Sequence, residues 1–185
     1  SSNTFGNSWY DQEQGTVFGE AIYQNDNSGP IAFFNDGSYS NLVSLQRDLS
    51  VDRWQVDYYS SGSRQALLNL ATSSCLAGQP SKVAATIKLD SYAASANGGV
   101  IVDDNLGLLP VSLSRVSLGF ENVGNASFIN GHISRLTYWP KRLSNESLQE
   151  ITDPTPAYDL PSLKLDLNFA ENKSLVDNVS GNNLV

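Results

Sequence analysis

The stretch GHISRLTYWPKRLSNESLQEIT, residues 131–152, decides the fold that the sequence predicts. In its first half, Leu136 and Tyr138 are two residues apart, whereas Ile133 and Leu136 are three apart. All three side chains can face one core only if the strand accommodates an extra residue near Ser134 or Arg135. The stretch therefore predicts a β-strand over 131–139 that contains a β-bulge.

Alternation of apolar and polar side chains with a period of two recurs along the chain and predicts further strands. The clearest case is 82–89, in which Val83, Ala85 and Ile87 share one face. Other runs predict strands over 16–23, 31–34, 42–47, 53–60, 65–70, 115–120 and 163–169. Turn signals separate them, such as Asn35-Asp36-Gly37 and Asn97-Gly98-Gly99. This spacing favours an all-β sandwich of antiparallel sheets.

The second half of the opening stretch predicts one short helix over 143–152. Ser144 is a suitable N-cap, and Leu143 and Leu148 have the spacing of a hydrophobic staple. Pro154 cannot donate a helical hydrogen bond, so it ends the pattern. We expect the helix to close an open end of the sandwich.

Composition excludes several functions. The 185 residues are 40% hydrophobic, which is enough for one core, and carry a net charge of −8. Only 11 Lys and Arg oppose 19 Asp and Glu, and no basic cluster is present, so we expect no nucleic-acid partner. No apolar run has the length of a membrane-spanning helix, so no membrane partner is expected. One Cys and one His cannot form an intrachain disulfide or the usual zinc site.

The closing strand and helix carry a family resemblance. Gly131-His132-Ile133, Tyr138-Trp139-Pro140 and Arg142-Leu143-Ser144 resemble laminin G-like domains, which belong to the concanavalin A-like lectin/glucanase jelly rolls. A version from bacteriophage tail and other virion proteins is similar in Ser8-Trp9-Tyr10, Gly15-Thr16 and Asn97-Gly98-Gly99. The likeness covers residues 5–152. It implies a jelly-roll sandwich of two antiparallel sheets with one short C-terminal helix.

The remaining segment leaves two alternatives open. We predict a laminin G-like domain over 1–153, followed by a linker and a strand over 154–185. The strand pattern over 163–169 is similar to the opening of another laminin G-like unit. It either completes the present sandwich or opens a next module. Docking on another chain would instead produce a homo-oligomer by strand exchange.

The sequence favours a protein without catalytic activity. Jelly-roll glucanases carry Glu-x-Asp-x-Glu on one strand, and this chain has no such string, since Glu20 stands alone on its predicted strand. A Ser-His-Asp triad would have to use His132, and no nucleophile-elbow sequence accompanies it.

Calcium is the one cofactor that the resemblance suggests. Laminin G-like domains and related lectins often hold calcium at the rim of the sandwich through oxygen ligands. Asp103, Asp104 and Asn105, which form a predicted loop just after a strand, are the best candidates. The alternative is that these residues form only a solvated turn.

Sugar binding requires an aromatic face together with hydrogen-bonding side chains. Gln55, Asp57 and Tyr59 share one face of their predicted strand, and we expect them to line the outer face of a sheet with Arg115 or Arg135. Trp54 and Tyr58 on the other face of the strand are expected in the core. Other aromatic residues that position could leave exposed are Trp9, Tyr10, Tyr39, Tyr92 and Trp139; for Trp139 the alternative is packing in the core or at the rim of the sandwich. We take Gln55, Asp57, Tyr59, Trp9, Tyr10 and Trp139 as the candidate carbohydrate-binding residues.

The resemblance implies a non-catalytic module on the tail or capsid of a phage virion, extracellular once released. Its expected partners are a host-surface glycan and neighbouring virion proteins. The alternative is a purely structural virion module that only contacts other proteins.

Overall fold

The computed structural model describes residues 10–24, 29–124 and 127–154 with their side chains, and residues 2–4 and 165–168 by their backbone. Its elements in chain order are β1 (Ser2–Thr4), β2 (Gln14–Tyr23), β3 (Ala32–Asn35), β4 (Leu42–Asp48), β5 (Arg53–Ser60), β6 (Ser63–Asn69), β7 (Ser81–Lys88), β8 (Tyr92–Ala96), β9 (Val102–Asp104), β10 (Arg115–Leu118), β11 (Gly131–Trp139), α1 (Asn145–Thr152) and β12 (Leu165–Asn168).

The strands form two six-stranded sheets. The first has the order β1-β10-β3-β4-β5-β6, and the second has the order β12-β11-β2-β7-β8-β9. Every pair of neighbouring strands is antiparallel. The predicted all-β sandwich of two antiparallel sheets with one short helix is therefore confirmed.

The core lies between the two sheets and takes alternate residues from each strand. Val43 and Val56 contribute to it from the first sheet, and Val17 and Val83 from the second. Trp54 and Tyr58 are fully buried there, as the alternation along β5 predicted. Since successive side chains of a strand point to opposite faces, the residues between these positions form the outer faces of the sandwich.

The predicted β-bulge is present in β11. Ile133 pairs with Ala21 and Arg135 pairs with Glu20, so the register shifts by one residue at Ser134. Leu136 and Tyr138 are consequently buried in the core, and Ile133 packs against it. The three-residue spacing of Ile133 and Leu136 in the sequence therefore predicted the bulge correctly.

Helix α1 begins after Ser144, whose side-chain oxygen accepts a hydrogen bond of 3.1 Å from the backbone N–H of Ser147. This confirms the predicted N-cap. The expected location was wrong, because α1 packs across the outer face of the second sheet instead of closing an open end. Its buried Leu148 contacts an apolar cluster that includes Phe18 and Trp139 on that face.

Strand β12 pairs with β11 of the same chain at the edge of the second sheet, with Leu167 opposite Leu136. The proposed division into 1–153 and 154–185 stays a prediction, since residues 155–164 and 169–185 lie outside the described part. Among the described residues, no helix has the length and apolar character needed to span a membrane.

Candidate functional site

The outer face of the first sheet carries a depression with a volume of about 250 Å³. Phe33 on β3, Ser44 on β4 and Asp57 on β5 are direct neighbours in one row across the sheet. Their sequence neighbours Phe34, Val43 and Tyr58 face the core. The depression is lined by Phe33, Tyr39, Leu42, Ser44, Gln46, Asp57, Tyr59 and Glu121.

The aromatic side chains of this depression differ in exposure. Phe33 forms its floor and is only 1% exposed, whereas Tyr39 from the β3–β4 connection is 44% exposed. The two rings meet edge to face with their centroids 6.3 Å apart. Tyr59 is half-buried. Tyr39 and Tyr59 therefore offer the aromatic surface that a ligand can reach.

The β3–β4 connection that carries Tyr39 is held by the side chain of Asp36. Its Oδ1 accepts hydrogen bonds from the N–H and hydroxyl of Ser38 at 2.8 and 2.7 Å, and its Oδ2 accepts one from Asn41 Nδ2 at 2.8 Å. Burial alone would raise the pKa of Asp36, but these hydrogen bonds lower it overall. Gly37 adopts φ +97°, a conformation that an L-residue rarely tolerates.

A chain of hydrogen bonds links the polar side chains across β4, β5 and β6. Ser44 Oγ donates to Gln46 Oε1 at 3.1 Å, and Gln46 Nε2 donates to Gln55 Oε1 at 3.1 Å and to Asp57 Oδ2 at 3.4 Å. Gln55 Nε2 in turn donates to Asn69 Oδ1 at 2.9 Å. These bonds hold the side chains in fixed orientations, so the polar wall is preorganised.

Asp57 is the most deeply buried carboxylate of the site. The residue is 7% exposed, and Arg64 Nε lies 2.9 Å from its Oδ1. The Arg64 guanidinium also lies over the Tyr59 ring, 5.3 Å from its centroid. Burial raises the pKa of the Asp57 carboxyl above its ordinary value, and Arg64 offsets part of this rise.

Glu121 supplies the second carboxylate, from the segment after β10. Tyr39 Oη lies 3.2 Å from Glu121 Oε2 and 2.5 Å from the carbonyl oxygen of Val123. Burial raises the pKa of the Tyr39 hydroxyl, and the nearby Glu121 carboxylate raises it further. The phenol therefore stays protonated, and its one proton is shared between these two acceptors.

Of the predicted carbohydrate-binding residues, the structure places three on this face. Asp57 and Tyr59 line the depression, and Gln55 belongs to the hydrogen-bond chain beside it. Arg115 lies in the same sheet, opposite Asn35, whereas Arg135 lies in the second sheet. Trp9 is outside the described residues.

Tyr92 and Trp139 are not exposed, which for Trp139 agrees with the alternative of packing, and Tyr10 is half-buried. Tyr10 stacks on Tyr138 and Phe34, with ring centroids 5.3 and 6.2 Å apart, and packs against the core. Trp139 does point outward from the second sheet, but α1 covers it and leaves it 1% exposed. Tyr92 is fully buried in the core. The Tyr92 and Trp139 rings are therefore not available to a ligand, and the Tyr10 ring is used mainly for packing.

Several residues of the depression were not identified from the sequence, namely Phe33, Leu42, Ser44, Gln46 and Glu121. The run 31–34 is entirely apolar, so it carries no alternation from which to assign its outer face. The pairing of Ser44 with Asp57 follows only from the register of β4 and β5. Glu121 reaches the site from a loop, where no periodicity applies.

The arrangement of the predicted calcium ligands gives little support to a joint site. Asp103 and Asp104 are adjacent residues of β9, whose side chains point to opposite faces. Asn105 Nδ2 donates to Asp103 Oδ2 at 3.0 Å, and the Leu106 N–H donates to Asp104 Oδ1 at 3.0 Å. Within the described ranges, no three His, Cys, Asp or Glu residues form a metal-binding group. Calcium binding stays a prediction.

No protein-family model matches the chain, and no curated protein matches it. Among solved structures it is similar to the CBM40 module of Ruminococcus gnavus IT-sialidase bound to α2,3-sialyllactose, with a TM-score of 0.66 and 17% identity over 77% of this chain and 84% of that chain. A heptameric SAP-like pentraxin from Limulus polyphemus has a TM-score of 0.59 and 16% identity, over 83% and 80% of the two chains.

The chain also matches NanB sialidase from Streptococcus pneumoniae, with a TM-score of 0.63 and 15% identity, over 82% of this chain but only 26% of that enzyme. At these identities the likeness shows the fold alone. It confirms the jelly-roll sandwich that the sequence resemblance implied. None of these three structures has a phage context.

Proposed function

We propose that this domain is a non-catalytic carbohydrate-binding module whose binding site is the depression on the outer face of the first sheet. The observation that carries the proposal is the combination of accessible Tyr39 and Tyr59 rings with the preorganised polar groups of Ser44, Gln46 and Asp57 in one cavity. Pyranose rings present an apolar C–H face and a rim of hydroxyl groups, which these two kinds of side chain complement.

The size of the depression suits a short ligand. Pockets that bury a drug-sized molecule begin at roughly 300 Å³, and this one measures about 250 Å³. A terminal sugar or one internal ring therefore fits better than an extended buried chain. Structural similarity to a carbohydrate-binding module supports the same class of ligand.

The absence of catalysis is part of the proposal and is open to test. Asp57 and Glu121 line one cavity, and a glycosidase requires two carboxylates, one of them protonated. Burial raises the pKa of Asp57, but its Oδ1 is enclosed by the protein and ion-paired with Arg64 at 2.9 Å, so this oxygen is not placed to protonate a glycosidic oxygen. We expect no release of reducing ends from any glycan that binds.

The finer proposal concerns where the module acts. The resemblance to phage domains leads us to propose a location on the tail or capsid of a virion, with a bacterial surface glycan as ligand and virion proteins as neighbours. Calcium at Asp103, Asp104 and Asn105 is proposed as an optional requirement. Both ideas rest on the sequence resemblance.

A glycan array of bacterial surface polysaccharides, probed with and without calcium and again with a chelator, tests these proposals. Specific binding supports the proposed carbohydrate-binding function. Asp57→Asn and Tyr39→Ala should abolish this binding, whereas the control Glu150→Gln, which is distant from the depression, should not. Loss of binding with chelator would support the calcium site, whereas indifference to chelator would remove it. No binding at protein concentrations of about 1 mM, where affinities near −4 kcal/mol register, would refute the module.

A structural role is the second candidate, favoured by one observation. The connections on either side of β9 expose apolar side chains, with Val100 83%, Leu106 79% and Leu108 61% exposed. Such side chains are typical of protein contacts when they are contiguous. If the array is negative and sedimentation velocity shows self-association that Leu106→Ser abolishes, the structural role replaces the glycan-binding proposal.

A further inference from the structure

We infer that the depression selects uncharged, hydroxyl-rich sugars and discriminates against sugars that carry a carboxylate. This inference rests on the proposed function and specifies its ligand class. It follows from which hydrogen-bonding groups of the cavity the protein already uses, and from the charges that line it.

The donors of the cavity are largely engaged by the protein itself. The Ser44 hydroxyl donates to Gln46, and the Gln46 amide donates to Gln55 and Asp57. The Tyr39 hydroxyl faces Glu121 and Val123 as acceptors. Among the described residues, the Tyr59 hydroxyl has no hydrogen-bond partner. It is therefore the one lining side chain of this set whose donor remains free for a ligand.

The acceptors, in contrast, remain available in part. Asp57 Oδ1 is enclosed by the protein and pairs with Arg64 at 2.9 Å, so it is not an acceptor for a ligand. Asp57 Oδ2 accepts one hydrogen bond, a long one of 3.4 Å from Gln46, and keeps acceptor capacity. Glu121 accepts from Tyr39 through one oxygen, and a carboxylate can accept about four hydrogen bonds. A ligand that donates hydrogen bonds therefore satisfies this cavity better than one that accepts them.

Charge leads to the same conclusion. Two carboxylates line the depression. Of the two nearby arginines, Arg64 is paired with one carboxylate and lies over the Tyr59 ring, and Arg115 lies beside Gly37, outside the lining. A ligand carboxylate would be repelled by both acidic groups and would find few donors in return. The hydroxyl groups of a neutral sugar donate to the same oxygens without that repulsion. The net charge of −8 adds a weak repulsion at longer range.

Matched pairs of immobilised glycans that differ in one acidic group test the inference. Suitable pairs are galactose with galacturonic acid, glucose with glucuronic acid, and lactose with 3′-sialyllactose, all at equal density. We expect the neutral member of every pair that binds to have at least tenfold higher affinity, which corresponds to about 1.4 kcal/mol. An acidic member that binds as tightly as its neutral partner, or more tightly, would overturn the inference and leave the glycan-binding proposal intact.

A charge variant provides an independent readout. Glu121→Gln removes one negative charge and adds an amide donor, so the preference for neutral sugars should shrink at least threefold, whereas Glu150→Gln on α1 should not change it. An unchanged preference in Glu121→Gln would contradict the inference. If no member of any pair binds, and the array of bacterial polysaccharides is also negative at protein concentrations of about 1 mM, the proposed function itself fails.

Discussion

The two outer faces of the sandwich are built on the same strand geometry, but a helix covers one face and leaves the other accessible. On the second sheet, the outward rings of Phe18 and Trp139 are covered by α1 and become a small second core. On the first sheet, no described helix covers Tyr39 and Tyr59, and they line a cavity. The comparison teaches that strand parity determines which way a ring points, while a covering element determines whether a ligand can reach it.

The largest expected effect concerns stability of the covered face. Trp139→Ala should lower the free energy of unfolding by about 3–5 kcal/mol, because it leaves a cavity beneath α1. Tyr39→Ala on the open face should cost about 1–2 kcal/mol, since much of that ring is already in water. Urea unfolding of both variants measures the difference. Equal losses would contradict the assignment of one face as core and the other as binding surface.

For ligand affinity, we expect the larger loss from a substitution on the open face and no loss from one on the covered face. Tyr59→Ala removes an aromatic wall of the depression and should lower the affinity for a bound glycan at least tenfold, or about 1.4 kcal/mol. Trp139→Phe, a conservative change on the covered face, should leave the affinity unchanged. Calorimetric titration of both variants measures this, and an affinity loss in Trp139→Phe would move the binding site to the second sheet.

The stability of α1, which covers the second sheet, depends in part on its N-cap residue Ser144. Ser144→Ala removes the acceptor for the Ser147 N–H and should lower the free energy of unfolding by about 1 kcal/mol. Ser144→Asp retains an acceptor at that position and should restore most of the loss. Chemical denaturation measures both changes. An unchanged stability in Ser144→Ala would show that the packing of Leu148 alone holds the helix in place.

The smallest expected effects are opposite pH dependences of two carboxyls on the open face. The pKa of Asp57 is raised from 3.8, so the folded state binds its proton more tightly and ionisation costs stability as pH rises past that value. The pKa of Asp36 is lowered from 3.8, so its stabilisation is present above that value and is lost as pH falls.

Unfolding midpoints at pH 3 and pH 7 distinguish the two cases. Relative to wild type, Asp57→Asn should gain stability between pH 3 and pH 7, whereas Asp36→Asn should lose stability over the same interval. Slopes of the same sign in both variants would contradict the hydrogen-bonding and burial described for these side chains.

Much of the fold was predictable from local pattern. The alternation along 53–60 gave the bounds of β5 and the burial of Trp54 and Tyr58, and the three-residue step before Leu136 located the bulge. Strand β8 was missed because its sequence, YAASA, is buried on both faces and shows no alternation. A strand was expected to end just before Asp103, whereas β9 includes Asp103 and Asp104, because a strand of three residues is too short for a periodic signal.

The candidate site was predictable only where its residues lie on a strand with clear alternation of apolar and polar side chains. Gln55, Asp57 and Tyr59 were identified because β5 alternates clearly, whereas Phe33 sits in a strand whose four residues are all buried. The role of Trp139 was misjudged, because the sequence does not indicate which face the helix covers. Glu121 joins the site through chain folding over a long sequence separation, as its contact with Tyr39 illustrates.

By itself the sequence determined the fold class, the direction in which most strand side chains point, the bulge and the capped helix, because each depends on residues within a few positions of one another. The tertiary structure alone decided which outer face stays open, which residues of β3, β4 and β5 meet in one row, and which carboxylates share a cavity. These outcomes depend on strand register and on where α1 docks, which are set by packing between segments far apart in the chain.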